Sequence, residues 1–376
     1  MIYFLFFIIV YLTIVLCITV FNALTAPMVK NGPEPVEFPL VSVLIPARDE
    51  ENNIGRCLDG LIRQDYPHFE ILVLNDHSTD HTADVVRTFS QQNPRVKLFD
   101  GEQLPEGWTG KNWACHQLSR IAGGDILIFT DADNIHSRGA VSHTVGWMQK
   151  LGLSLFSCFP QQITVTLAEQ LVVPVFDMTV YSLLPLWLTY RSRRPSLAAA
   201  NGQWIAFTRD GYDRIGGHES VRSKPVEDTD LARRAKKIGE KIITAAGRDE
   251  VMGRMYHNWQ EVLEGFSKNA FGLMAFKTVP FFIFLFLLCA AHILPYFFIW
   301  IPGYFIPSAI AIALNLVLRL ILALKYRQPL VTGIVLNPVA IAAAIFVGIN
   351  SFLCYRRGTV SWKGREVRLG SEAANL

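Results

Sequence analysis

The sequence predicts an α/β domain built on a mostly parallel sheet, with transmembrane helices at both ends of the chain. Three observations carry that expectation. Apolar runs long enough to cross a bilayer stand at residues 2–24, where no charge occurs, and again in the last third. Between them, short aliphatic runs alternate with apolar residues at helix spacing, the pattern of βαβ units. Acidic clusters follow three of those runs, at the strand ends where parallel sheets bind ligands.

Composition agrees. Hydrophobic residues make up 51% of the 376 and charged residues only 18%, too apolar for an ordinary soluble domain. The excess sits at the two ends and leaves a polar middle from about Pro35 to Lys268. A net charge of +3 is too mild for a nucleic-acid footprint, so no such partner is expected. The six cysteines are scattered with no C-x-x-C pair, which excludes an evident zinc site and fits a reducing compartment.

The run at 2–24 lacks the basic start of a signal peptide, since the first 29 residues hold no Lys or Arg. It reads as an uncleaved anchor over 1–27. Three more spans are expected at 276–301, 304–324 and 331–354, within a membrane region at 276–355. A basic tail follows at 356–376, with Arg356, Arg357, Lys363, Arg365 and Arg368. Arg319 is costly in lipid and is expected to face protein or water. Lys30 directs the middle domain to the cytosol. Three further crossings would place the tail outside, whereas two plus a re-entrant segment would return it, and both arrangements stand. The stretch at 167–190 is apolar but interrupted by Glu169, Pro174, Asp177 and Pro185, then followed by Arg191, Arg193 and Arg194. It reads either as a membrane-contacting segment in the headgroup layer or as a buried helix pair.

In the middle domain, strands are expected at 41–46, 69–75, 95–99 and 125–130. Helices are expected at 50–64, 79–91 and 112–121. The first strand ends in Pro46-Ala-Arg-Asp-Glu50, the second in Asn75-Asp-His-Ser-Thr-Asp80 and the fourth in Thr130-Asp-Ala-Asp133. Parallel strands bring such ends to one crevice. Asp131 and Asp133, one residue apart, can clamp a hard divalent cation, Mg²⁺ or Mn²⁺, that bridges diphosphate oxygens. Asp76 would accept hydrogen bonds from a nucleoside, helped by Glu50 or Asp49; its competing role is a turn residue. Lys111 opens a helix after Gly107 and Gly110, where it either meets diphosphate or is a solvated turn lysine. Asp228, in Val226-Glu-Asp-Thr-Asp-Leu231, has the chemistry of a general base, oriented by Glu227. Acids at a helix N-terminus are also favoured by the macrodipole alone.

Together these motifs resemble family 2 glycosyltransferases with a GT-A nucleotide-sugar domain, over about residues 38–275. The strings Gly-Trp-Thr-Gly-Lys-Asn-Trp-Ala at 107–114, Gly-Gln-Trp at 202–204 and Arg-Met-Tyr at 254–256 are similar to a membrane-bound branch acting on lipids. That branch includes carotenoid- and hopanoid-associated and ceramide glucosyltransferase-like enzymes. The resemblance implies inverting transfer, a divalent metal and usually a UDP-sugar donor. By position it makes Asp76 the nucleoside-binding acid, Asp131 and Asp133 the metal motif, and Asp228 the base. It also sets Glu50, Lys111 and Trp204 among the substrate contacts. Many relatives carry an Arg-x-x-Arg-Trp or Gln-x-x-Arg-Trp motif where this chain reads Arg254-Met-Tyr-His-Asn-Trp259, so Arg254 and Trp259 match it approximately and His257 offers a substitute cation. The departure favours a single transfer. The expected activity moves one sugar from a nucleotide-sugar to a lipid or isoprenoid-type acceptor at the cell membrane, with the catalytic domain facing the cytoplasm. A processive polysaccharide synthase and a non-catalytic nucleotide-sugar-binding membrane protein are the alternatives.

Overall fold

The computed structural model describes residues 2–359, together with the backbone of a strand pair at Ser361–Trp362 and Arg365–Glu366. The rest of the expected basic tail, Lys363 and Arg368 included, lies outside the described residues. The chain divides into two compact units. One comprises Pro27–Gln161 and Leu186–Met255; the other comprises Met1–Ala26, Gln162–Pro185 and Tyr256–Leu376.

The first unit is the α/β unit. Its strands are β1 (Val41–Ala47), β2 (Phe69–Asn75), β3 (Val96–Asp100), β4 (Ile126–Thr130), β5 (Asn134–His136), β6 (Leu155–Phe159), β7 (Gln161–Gln162, whose second residue is the first of the next segment of the other unit), β8 (Trp204–Thr208), β9 (Ile242–Ala246) and β10 (Val251–Gly253). Seven of them form one sheet in the order β3-β2-β1-β4-β8-β6-β9. Every neighbouring pair in it is parallel except those of β8, which runs antiparallel to both β4 and β6. The order turns back between β1 and β4, and the crevice beyond their carboxyl ends is where such sheets take ligands. Strands β5, β10 and β7 make a small second sheet.

Both faces of the large sheet are covered, which is why its strands read as unbroken apolar runs. Val41, Val43, Ile45, Ile71 and Ile128 pack on one side with Ile54, Leu58, Val86 and Val145 from helices. Leu44, Leu72, Leu74, Leu127 and Phe129 pack on the other with Ala114, Leu118, Leu231 and Ala235.

The second unit is helical. Among the described residues, four of its helices are long and apolar enough to cross a membrane: Ile2–Thr25, Thr278–Phe298, Phe305–Tyr326 and Asn337–Arg357. Two depart from the expected continuous spans. The second breaks at Ile293 into Thr278–His292 and Leu294–Phe298, where Pro295 has no N–H to continue the ladder. The run expected at 331–354 is a short helix, Leu330–Val335, followed by Asn337–Arg357, which Pro338 opens. Large apolar side chains such as Phe6, Phe7, Phe286, Phe305 and Phe346 are exposed, as lipid-facing positions require. Leu5, Ile8, Leu12, Ala290, Ala291 and Ala311 form an interior cluster.

Two polar side chains inside this unit donate to backbone carbonyls. Asn22 Nδ2 donates to the carbonyls of Tyr181 and Leu184 at 2.8 Å each, closing the end of the helix Leu167–Leu183. Arg319, 1% exposed, faces protein: its Nε donates to the Gly333 carbonyl at 2.9 Å and its Nη1 to that of Pro174 at 3.3 Å. The stretch at 167–190 divides at Pro185. Leu167–Leu183 is a partly buried helix of this unit, and the short helix Trp187–Arg191 belongs to the α/β unit.

One glycine gives a sharp test of the α/β packing. Gly146 lies within the helix Ala140–Leu151, and a Cβ added there would overlap the Pro33 carbonyl. A helical Gly→Ala change ordinarily gains about 1 kcal/mol. Here Gly146→Ala is expected to lower the melting temperature in a fluorescence melt, and a raised one would contradict this packing.

Candidate active site

Three strand ends build the crevice. Beyond β1 and β2, the segments Arg48–Glu50 and Asn75–Thr82 are tied together. Asp49 Oδ1 accepts from the Thr79 N–H at 2.8 Å, the Glu50 N–H donates to Thr82 Oγ1 at 2.7 Å, and Arg48 Nη1 donates to the Asp76 carbonyl at 2.9 Å. Asp49 and His77 hold left-handed backbones, with φ of 51° and 54°. Such conformations persist only where their surroundings over-determine them. Asp76 is 7% exposed at the end of β2, and Glu50 Oε2 accepts from Asn53 Nδ2 at 2.8 Å.

Beyond β4 stands the Asp131-Ala-Asp133 turn. Burial first, then the charges of Asp133, Glu50 and Asp131, push the Cys57 thiol well up. The Cys57 thiol itself lies 3.8 Å from the Asp131 carbonyl. Behind the turn, Thr130 Oγ1 donates to the Gln203 carbonyl at 2.9 Å and meets His136 Nε2 at 3.1 Å. Burial lowers His136 to about 3, so this partner is a neutral imidazole at physiological pH.

The antiparallel β8 supplies what a parallel sheet would not. Its first residue, Trp204, is in register with Thr130, the last of β4. The residues before it, Asn201 to Gln203, therefore arrive at the same crevice. The Gly202 N–H donates to Asp228 Oδ2 at 2.8 Å and the Thr229 N–H to Asp228 Oδ1 at 2.6 Å. A Cβ on Gly202 would stand 3.1 Å from Lys111 Nζ, 3.2 Å from Glu227 Oε1 and 3.6 Å from Asp228 Oδ2. Glycine at 202 leaves that gap open.

Lys111 is the hub. Its Nζ lies 2.7 Å from Asp131 Oδ1 and 3.4 Å from Glu227 Oε1. Burial alone would lower its pKa, but Asp131 and Glu227 outweigh burial and hold the ammonium well above the ordinary lysine value. Asp228 moves the other way. Burial, then the charge of Glu227, pushes its carboxyl up to about 6, opposed by Lys111 and by the N–H groups of Thr229 and Gly202. A carboxylate with that pKa is ionised at neutral pH yet basic enough to take a proton.

Of the residues expected from sequence, the structure brings Lys111, Asp131, Glu227 and Asp228 into one cluster, with Asp133, Glu50 and Asp76 on neighbouring strand ends. Arg254 directly follows β10, which pairs with β5 just beyond the Asp131–Asp133 turn. Two others lie elsewhere. Trp204 is fully buried in the sheet core, its Nε1 donating to Thr144 Oγ1 at 3.0 Å, so its indole is a packing element. Trp259 opens a helix of the other unit and is 42% exposed there, its ring 6.3 Å from that of Phe346. His257 in the same unit pairs with Glu261 at 3.1 Å.

Two contributors were missed. One is Gly202, acting through its backbone. The other is Asn112, fully buried, whose Nδ2 donates to the carbonyls of Val221, Arg222 and Lys224 at 2.8, 3.2 and 3.1 Å. It ties the helix that begins with Lys111 to the loop that leads into Glu227 and Asp228. It stands in the string at 107–114, but nothing in the sequence marks its tethering role.

The donor set fits a hard divalent cation. Asp131 and Asp133 offer oxygen ligands, and among the described residues no group of three or more His, Cys, Asp or Glu is placed to enclose a metal. Two carboxylates with the remaining positions left to phosphate and water is the usual way such a site holds Mg²⁺.

The chain is similar to known glycosyltransferases. The model of the glycosyl transferase family 2 matches residues 42–175. The chain is 27% identical over 284 residues to the 4,4'-diaponeurosporenoate glycosyltransferase of Staphylococcus haemolyticus, covering 74% of this chain and 70% of that protein. It is 26% identical over 368 residues to the 4,4'-diaponeurosporenoate glycosyltransferase of Staphylococcus aureus, covering 88% and 89%. A mannosyltransferase from Pyrobaculum calidifontis, solved in complex with GDP-Man and Mn²⁺, superposes with a TM-score of 0.53 at 20% identity, covering 92% and 99%. That likeness is one of fold, and the fold is GT-A.

The burial of Trp204 separates packing from binding. Trp204→Ala is expected to cost roughly 3–5 kcal/mol of stability, seen as a lowered thermal midpoint. An unchanged midpoint would return Trp204 to the substrate contacts.

Proposed function

With residues 42–175 a family 2 glycosyltransferase domain and the chain a glycosyltransferase, we propose that it moves one sugar from a nucleotide-sugar to a lipid-type acceptor at a membrane. The observation that carries this reading is the cluster of Lys111, Asp131, Glu227 and Asp228 at the strand-end crevice. It joins a diphosphate-seeking cation, a metal-seeking carboxylate and a base of raised pKa within one small volume.

Asp76 and Glu50 face the nucleoside, and a UDP-sugar is the donor that the motifs imply. Asp131 and Asp133 would hold Mg²⁺ or Mn²⁺, which supplies charge to offset the leaving diphosphate. Asp228 takes the proton from an acceptor hydroxyl as its oxygen bonds the anomeric carbon and the bond from that carbon to the diphosphate breaks. Glu227 raises the basicity of Asp228 by its charge. Arg254, just after β10, serves the leaving-group side. The acceptor class is supported by the four apolar helices and by relatives whose name specifies a carotenoid acid. Lys30 after the first span supports a cytoplasmic catalytic unit.

The base assignment has a kinetic signature. Asp228→Asn is expected to lower kcat by about 10²–10⁴-fold with little change in melting temperature. In the wild type Asp228 is protonated below about pH 6, so kcat/KM is expected to fall tenfold per pH unit under that point. A profile flat down to pH 4.5, or full activity in the Asn variant, would remove Asp228 as the base.

A further inference from the structure

We propose that Lys111 is an exchangeable counter-cation: it neutralises Asp131 and Glu227 in the ligand-free enzyme and passes to the donor's diphosphate when metal and donor bind together. The proposal rests on the metal-assisted glycosyl transfer set out above and adds an order of events to it.

The geometry points there. Lys111 Nζ sits 2.7 Å from Asp131 Oδ1, on an oxygen that the metal motif would offer to a divalent ion. A dication approaching that carboxylate meets the ammonium first, and like charges so close in a partly buried site repel strongly. Metal alone therefore has to displace a cation that holds two acids, Asp131 and Glu227 at 3.4 Å. Among the described residues, Asp131 and Glu227 are the anionic partners within 4 Å of that ammonium. A nucleoside diphosphate adds another, because it brings phosphate oxygens to the same crevice.

The local structure lets the ammonium move without moving the chain. Lys111 lies in the first turn of the helix Gly110–Ile121, whose Thr109 cap accepts from the Asn112 N–H. Asn112, the next residue, is fully buried and fixed by three carbonyls. The backbone is thus anchored, while the flexible lysine stem keeps about a third of its side chain open to the crevice. Gly202 has no Cβ, and a methyl there would come within 3.1 Å of Nζ. The space beside the ammonium is kept clear.

Thermodynamic linkage turns this into a measurable coupling. If Lys111 opposes metal in the absence of diphosphate and assists diphosphate in its presence, each ligand strengthens the other by the same factor. A cation that merely stood nearby would weaken metal binding equally with and without nucleotide.

The test uses the full chain in detergent, with Mn²⁺ followed by electron paramagnetic resonance in the absence and presence of UDP, and of GDP in parallel. In the wild type, nucleotide is expected to tighten Mn²⁺ at least tenfold. In Lys111→Met, Mn²⁺ alone is expected to bind at least tenfold more tightly, and the nucleotide effect to shrink by at least tenfold. Lys111→Gln, which keeps a hydrogen-bond donor towards Asp131, serves the same comparison if the methionine variant does not fold. Wild-type coupling that survives either substitution unchanged overturns the exchange and leaves the glycosyl-transfer reading standing. No coupling in the wild type with either nucleotide overturns both.

Discussion

The ion pair between Lys111 and Asp131 is the contact on which the rest of the site depends. Four acids come to this crevice from separate parts of the chain: Asp131 and Asp133 after β4, and Glu227 and Asp228 at the start of the helix Glu227–Lys237. Left to themselves, such carboxylates would repel or take up protons. One ammonium, 2.7 Å from the first group and 3.4 Å from the second, lets them remain close and charged. Asp228, further from that cation's favour and beside Glu227, carries the residual strain as a raised pKa. Burial and the neighbouring charge of Glu227 thus raise the proton affinity of an ordinary aspartate.

The sheet explains how residues so far apart in sequence meet. Helices on both faces force the strands to be apolar throughout, so polar chemistry is confined to their ends. The parallel strands β1, β2 and β4 deliver three acidic turns to one edge. The reversed β8 then delivers a backbone N–H from Gly202 to the same edge. Asn112 closes the arrangement by binding the loop at 221–224 to the helix carrying Lys111. These tethers are mostly backbone-directed, which places side chains without depending on long flexible arms.

Much of this was legible in the sequence because buried parallel strands and membrane spans both announce themselves as apolar runs. The turns after Ala47, Asn75 and Thr130 stood out as acids where an apolar run stops. What stayed hidden was direction and partnership. Trp204-Ile-Ala-Phe-Thr208 reads the same whichever way the strand runs, so neither the reversal of β8 nor the burial of Trp204 could be seen. Glycine at 202 acts through its N–H and its missing Cβ, and neither leaves a mark in composition. The breaks at Ile293 and before Asn337 have their cause in Pro295 and Pro338, which hydropathy windows average away. The stretch at 167–190 showed its interruptions, but not that the part after Pro185 belongs to a different unit.

The most direct test of the account is the product itself. Membranes containing the full chain would be incubated with labelled UDP-sugars, Mn²⁺ or Mg²⁺ and the host's lipid extract, and the organic phase analysed by mass spectrometry. The account predicts a lipid carrying one added sugar, formed only with divalent metal and lost on chelation. Label confined to a water-soluble polymer, or a lipid product that forms unchanged in chelator, would contradict it.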